Sequence, residues 1–241
     1  MLDKGDWQFY GGTIERTNNS SYELKPPLTF AWQYDASAGF SPYSAAVVDN
    51  IIFVGNLQGE VHAVDVRTGK EFGAYDFGSA VYGTPVIDGE LMYVVLGNED
   101  ESLVAYNLIS GKILWKAKLG DIETSPLLHE NHLFITTLDG KIVSIEKEHG
   151  NRAWEYEVPS HITPAAIHSS PASDGNVIVF GCDDGSLYAV TKNYGQLKWH
   201  AKTHGSILAS PSIKDSVVYV GSLDSTLYAI QVSTGKIIWK T

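Results

Sequence analysis

Read for apolar and polar positions, the chain is a succession of short runs rather than helical stripes. Five nearly apolar segments, IIFVG (51–55), LMYVV (91–95), HLFIT (132–136), VIVFG (177–181) and VVYVG (217–221), are each followed by a second run. These second runs are VHAVD (61–65), LVAYN (103–107), IVSIE (142–146), LYAVT (187–191) and LYAIQ (227–231). β-Branched and aromatic residues fill the runs while Gly, Asp and Asn separate them, the pattern of strands and tight turns. No stretch repeats apolar residues at i, i+3, i+4 and i+7 for long enough to make a helix.

The runs are periodic. Turn tetrapeptides RTGK, ISGK, EHGN, NYGQ and STGK place Gly69, Gly111, Gly150, Gly195 and Gly235 about one repeat apart, and the last four are followed by Trp115, Trp154, Trp199 and Trp239. The first unit has Gly73 where the others have Trp, and its aromatic mass shifts to Phe72 and Tyr75. Trp32, one repeat before Gly73, reads as one more closing strand. Each unit opens after a small pair: Ala45-Ala46, Thr84-Pro85, Ser125-Pro126, Ser170-Pro171 or Ser210-Pro211.

Four short antiparallel strands per repeat predict an all-β fold, a β-propeller of four-stranded blades. It should have five complete repeats plus an extra N-terminal strand, with residues 1–27 as a lead-in and 28–241 as the propeller. A small residue at mid third strand (Ala63, Ala105, Ser144, Ala189, Ala229) lets the next sheet approach, and the closing Trp fills the space between blades. The unaccompanied Trp32 strand fits a seven- or eight-bladed ring cut after its fifth unit better than a sixth blade completed by residues 1–31. The open ends predict self-association through the first and last blades, or a small closed ring.

Composition narrows the role. The 241 residues are 44% hydrophobic and 19% charged, as in a folded globular protein, with a net charge of −11 and only 17 Lys and Arg. Phosphate neutralisation needs clustered basic residues, so a nucleic-acid partner is excluded. No apolar run approaches the roughly 18 residues that cross a bilayer. The opening MLDKGDW is too polar for a signal peptide, so an exported protein would have lost its leader. Cys182 is the single cysteine and has no internal disulfide partner.

The Gly-x-x-x-Trp closing run, the Leu-Tyr-Ala strand, the Ser-Pro opening and the lead-in WQFYGGTIERTNNS resemble the PQQ-like β-propeller repeat of quinoprotein dehydrogenases and BamB-like outer-membrane assembly lipoproteins. The resemblance covers about residues 7 to 241. It implies either a non-enzymatic protein-binding scaffold exported to the periplasm or cell envelope, or a quinone enzyme. The enzyme would need an essential Asp base, Glu and Asn ligands for calcium and in many members adjacent cysteines; none can be assigned to positions here.

The remaining chemistry is sparse. His129 and His132 have metal-like spacing but fall at a strand turn, and two ligands fall short of the four of a structural site. His161 and His168, and His200 and His204, read as surface polar groups. The turns at 138–140 and 183–185 lack the succession of carboxylates of a calcium loop, and no serine sits in a nucleophile elbow. The repeats disagree most just before each first strand, at Tyr43, Tyr82, Glu123, His168 and Leu208. Repeat geometry puts these equivalent positions on a ring at the channel mouth, a candidate partner-binding surface. The expectation is therefore a scaffold with a protein partner, no cofactor, no metal and no membrane insertion. The alternative is a quinoprotein-type enzyme or sensor with a small molecule in the central channel.

Overall fold

In the computed structural model the runs become twenty strands in five four-stranded antiparallel sheets. The structure describes residues 6–20, 23, 25–41, 45–98, 100–159 and 165–241, none of them helical. Blade one comprises β1 (Ala46–Val48), β2 (Ile51–Gly55), β3 (Glu60–Asp65) and β4 (Glu71–Asp76). Blade two comprises β5 (Val86–Asp88), β6 (Leu91–Val95), β7 (Leu103–Asn107) and β8 (Lys112–Ala117). Blade three has β9 (Leu127–His129), β10 (His132–Thr136), β11 (Lys141–Glu146) and β12 (Arg152–Glu157). Blade four has β13 (Ala172–Ser173), β14 (Val177–Gly181), β15 (Ser186–Thr191) and β16 (Leu197–Lys202). Blade five has β17 (Ser212–Lys214), β18 (Val217–Ser222), β19 (Thr226–Gln231) and β20 (Ile237–Lys240).

One register recurs. Ala63 faces Gly73, Ala105 faces Trp115, Ser144 faces Trp154, Ala189 faces Trp199 and Ala229 faces Trp239, and a bulge follows each time. The bulge adds twist to the outer strand, and the tryptophan lies across the gap to the next blade. Trp115, Trp154 and Trp199 donate their indole N–H to the carbonyls of Lys147, Lys192 and Val232, at 3.1, 2.9 and 2.7 Å. Each ring rests on the turn glycine of that next blade. A Cβ on Gly150, Gly195 or Gly235 would come within 2.6 Å of the ring, and all three have positive φ. Glycine is required twice over, for the left-handed backbone and for the ring's approach.

The interior is divided by blade junctions. One apolar cluster joins blades one and two, a second joins two, three and four, and a third joins four and five. Among the described residues none joins five to one, so the blades form an open arc and the small closed ring does not occur. The free flank of blade five shows the consequence. Leu227 and Trp239 are 42% and 43% exposed, whereas their blade-four counterparts Leu187 and Trp199 are at 0% and 8%.

The Trp32 segment departs from the expectation of one more closing strand: residues 28–36 form no ladder. A fourth strand needs a third strand to pair with, and among the described residues none stands beside it. Its tryptophan nevertheless takes the repeat's seat, donating to the Val66 carbonyl at 2.8 Å with its ring on Gly69.

The first strands gather at the axis, β1 beside β5 and β13 beside β17. Their free edges bind the chain's own start. Trp7 bridges to Val47, and the amides of Ile87, Ser173 and Ile213 donate to the carbonyls of Gln8, Ile14 and Glu15. Blade three is reached by Arg16, whose guanidinium donates to the carbonyls of Ser125 (3.2 Å), Pro126 (3.4 Å), Tyr10 (2.6 Å) and Pro171. Arg16 is 1% exposed and lies over the Tyr10 ring. A buried cation costs several kcal/mol unless hydrogen-bonded; here the carbonyls of three chain segments supply the bonds.

Candidate functional site

The Ser-Pro openings are structural. The Thr84 amide donates to the Ser125 hydroxyl, the Ser125 amide to the Ser170 hydroxyl and the Ser170 amide to the Ser210 hydroxyl, at 2.9, 2.9 and 3.0 Å. This belt around the axis links blade to blade through one side chain per repeat, which is why a small hydroxyl residue recurs there.

Two residues before each belt position stand Tyr82, Glu123, His168 and Leu208; Tyr43 lies outside the described residues, as does His161. Four of the five predicted positions thus hold one place in the repeat, and the structure brings two of them together. The Glu123 carboxylate lies 3.9 Å from His168 Nε2, and His168 Nδ1 lies 3.1 Å from the Asp183 carboxylate. Tyr82 turns aside: its ring packs over Gly97, and its carbonyl accepts from Ser41. Leu208 takes no part in the ion pair and is 40% exposed, and Leu223 is 67% exposed. The Leu223 turn is held to the loop before Leu208 by its amide, which donates to the Ser206 carbonyl.

Asp183 belongs to a turn that reads in sequence as ordinary. Its signal was a second aspartate in DDG, where the corresponding turns read LDG and LDS. The neighbouring Asp184 and its blade-five counterpart Asp224 are occupied structurally, each accepting the hydroxyl of the tyrosine four residues on, Tyr188 or Tyr228, at 2.6 Å. The Tyr228 hydroxyl, with the amides of His204 and Thr226, holds the Asp224 carboxyl well below the usual carboxylate range. Cys182 is fully buried, and burial pushes its thiol up to about 12, which removes it as a nucleophile at neutral pH.

The two other histidine spacings do not build sites. His129 and His132 face each other across the β9–β10 turn, and His200 stacks on Tyr188. A quinone with calcium does not fit the residues at the axis. The belt hydroxyls accept neighbouring amides, Arg16 spans the first strands, and among the described residues no three histidine, cysteine or carboxylate groups are placed to share a cation.

A family model described as outer membrane protein assembly factor BamB matches residues 29–116 and 97–206. The BamB of Burkholderia pseudomallei is 27% identical over 192 residues, covering 73% of this chain and 47% of that protein. The quinoprotein alcohol dehydrogenase PedH of Pseudomonas putida is 26% identical over 163 residues, covering 56% of this chain and 26% of that one. The chain spans about half the length of the curated BamB relatives it matches. The crystal structure of BamB from Moraxella catarrhalis superposes with a TM-score of 0.74 at 19% identity, covering 88% of this chain and 67% of the other. Quinohemoprotein alcohol dehydrogenase from Comamonas testosteroni gives 0.82 at 19% identity, covering 98% and 49%. At these identities the solved structures show the propeller fold alone.

Proposed function

The chain belongs to the PQQ-like family of outer membrane protein assembly factor BamB, and on that premise we propose that it is a non-enzymatic scaffold of the cell envelope. It would bind another protein of outer-membrane assembly through the mouth rim. The observation that carries this reading is the division of labour in the repeat. Residues that repeat (the tryptophans, turn glycines and belt hydroxyls) are consumed in holding blade to blade. Residues that vary, Glu123, His168 and Leu208, share one repeat position; Glu123 lies 3.9 Å from His168, Leu208 is 40% exposed, and we infer that this position forms the binding rim. The axis is taken up by the chain's own residues 7–16, which supports recognition at the rim over chemistry in a channel.

Photo-crosslinking in cells tests the proposal. A photoreactive residue at position 208 should capture an envelope protein, whereas one at Lys214, the last residue of β17 in blade five, should not. Equal capture from both positions, or capture from Lys214 alone, would move the interface off the rim.

A further inference from the structure

The blade junction that lacks its tryptophan is built as though for an indole. Gly73 occupies the fourth-strand position held by Trp115, Trp154, Trp199 and Trp239, opposite Ala63 in the shared register. The receiving half of the seat is nevertheless complete. Gly111 in blade two has φ +66, like the other turn glycines. The Leu108 amide donates to the Glu90 carbonyl as Lys147, Lys192 and Val232 donate to their own preceding turns. That leaves the Leu108 carbonyl in the place where the other junctions accept an indole N–H.

The seat is open. A Cβ on Gly73 would meet nothing within 4 Å, and at Gly111 the nearest group is the Tyr106 hydroxyl at 3.6 Å rather than a ring at 2.6 Å. Ala63 is partly exposed, whereas Ala105, Ser144, Ala189 and Ala229 are all at 0%. Two cavities adjoin it, of about 260 Å³ and about 480 Å³, and both touch Phe53, Ala63 and Leu108. Their scale is that of small-ligand clefts, roughly 300–1,000 Å³. Tyr75 and Tyr106, with centroids 4.4 Å apart, form an aromatic wall, and Met92 adds a polarisable side chain.

We propose that this cleft between blades one and two is a binding site for a tryptophan side chain supplied by a partner polypeptide. The incoming indole would stack beside Tyr75 and Tyr106, cover Ala63 and Gly111 and donate its N–H to the Leu108 carbonyl. The three-blade series at Trp115, Trp154 and Trp199 is the template, since it shows the same seat filled from within. Tryptophan is also the side chain most favoured as an interface anchor. The polypeptide source rests on the scaffold reading above; the seat itself does not.

The test uses the whole 241-residue chain and N-acetyl-tryptophanamide, with N-acetyl-leucinamide and free indole as companion probes. The tryptophan probe should bind with a dissociation constant of about millimolar order and shift the amide resonances of Ala63, Leu108 and Gly111, while the leucine probe does so at least tenfold more weakly. Gly73→Trp should raise the melting temperature by about 5 °C and abolish those shifts. Gly111→Ala should weaken probe binding at least threefold by placing a methyl in the seat. Shifts centred elsewhere, or binding unchanged in Gly73→Trp, would overturn the site. Free indole binding tenfold more tightly than N-acetyl-tryptophanamide would overturn the polypeptide source. If Gly73→Trp fails to fold, the shift map on the unaltered protein and the Gly111→Ala comparison still decide. Because no partner protein enters the assay, failure here leaves rim crosslinking unaffected.

Discussion

The indole nitrogen of Trp199 donates to the carbonyl of Val232, 2.7 Å away in the next blade, and its ring lies on Gly235. That contact is the repeat's lock, and it can be compared with an unengaged copy of itself. Trp199 is 8% exposed and Trp239 is 43% exposed.

Trp199→Ala should therefore cost about 3–5 kcal/mol, the range for emptying a packed aromatic site, and Trp239→Ala about 1 kcal/mol or less. Urea unfolding of the two variants checks this. The same exposed flank is where self-association is expected, because contiguous apolar surface on an end blade favours a partner. Light scattering should show concentration-dependent association that Trp239→Ala reduces. Equal costs for the two substitutions would mean that the lock is not what holds the blades.

Arg16 ties the chain's start to blades three and four. Arg16→Ala should destabilise by about 3 kcal/mol, since charge-assisted bonds are lost and buried carbonyls go unpaired. Arg16→Lys should recover little, because an ammonium cannot span the same set of carbonyls. A melting temperature unchanged in Arg16→Ala would show the N-terminal segment to be dispensable.

Asp224 gives a pH signature. Its native carboxyl titrates below the ordinary range because the Tyr228 hydroxyl and two amides bind the ionised form. A depressed native value means the stabilisation is complete above the unfolded value, about 3.9, and is lost as pH falls through the native one. The stability gap between the unaltered protein and Asp224→Asn should be constant from about pH 7 to 5 and shrink below about pH 4. Stability curves measured against pH would reveal a gap that instead widens in acid, which would reverse the assignment.

Much of the fold was legible because its determinants are local. Turn glycines, small third-strand residues and closing tryptophans recur at one spacing, and the observed register pairs them as that spacing requires. The Trp32 segment keeps its seat without forming a strand because the two have separable determinants: the seat needs only Gly69 and Val66, the ladder a whole neighbouring strand. The Glu123–His168 contact follows from equivalent positions on adjacent blades, which the repeat spacing gives. Its third member, Asp183, was not legible, because it lies in a tight turn whose residues read as turn formers, and the axial role of Arg16 was not, because its contacts reach segments more than a hundred residues away.

The quinoprotein alternative is checked by ligand-linked stability. A cofactor at a hundred times its dissociation constant adds about 2.7 kcal/mol, a shift of several degrees for a chain of this size. Added PQQ with calcium should leave the melting temperature unchanged; a clear rise would favour the enzyme or sensor.

The scaffold reading is tested most directly by the fraction of protein that co-migrates with any envelope protein captured at position 208, measured for the unaltered chain and for Glu123→Lys combined with Leu208→Arg. Both positions lie on the rim and outside the belt, so the melting temperature should stay within a few degrees. Co-migration should fall at least tenfold, through lost apolar contact and reversed charge at the Glu123–His168 cluster. Undiminished co-migration in a folded double variant would contradict the assignment of the rim as the binding surface.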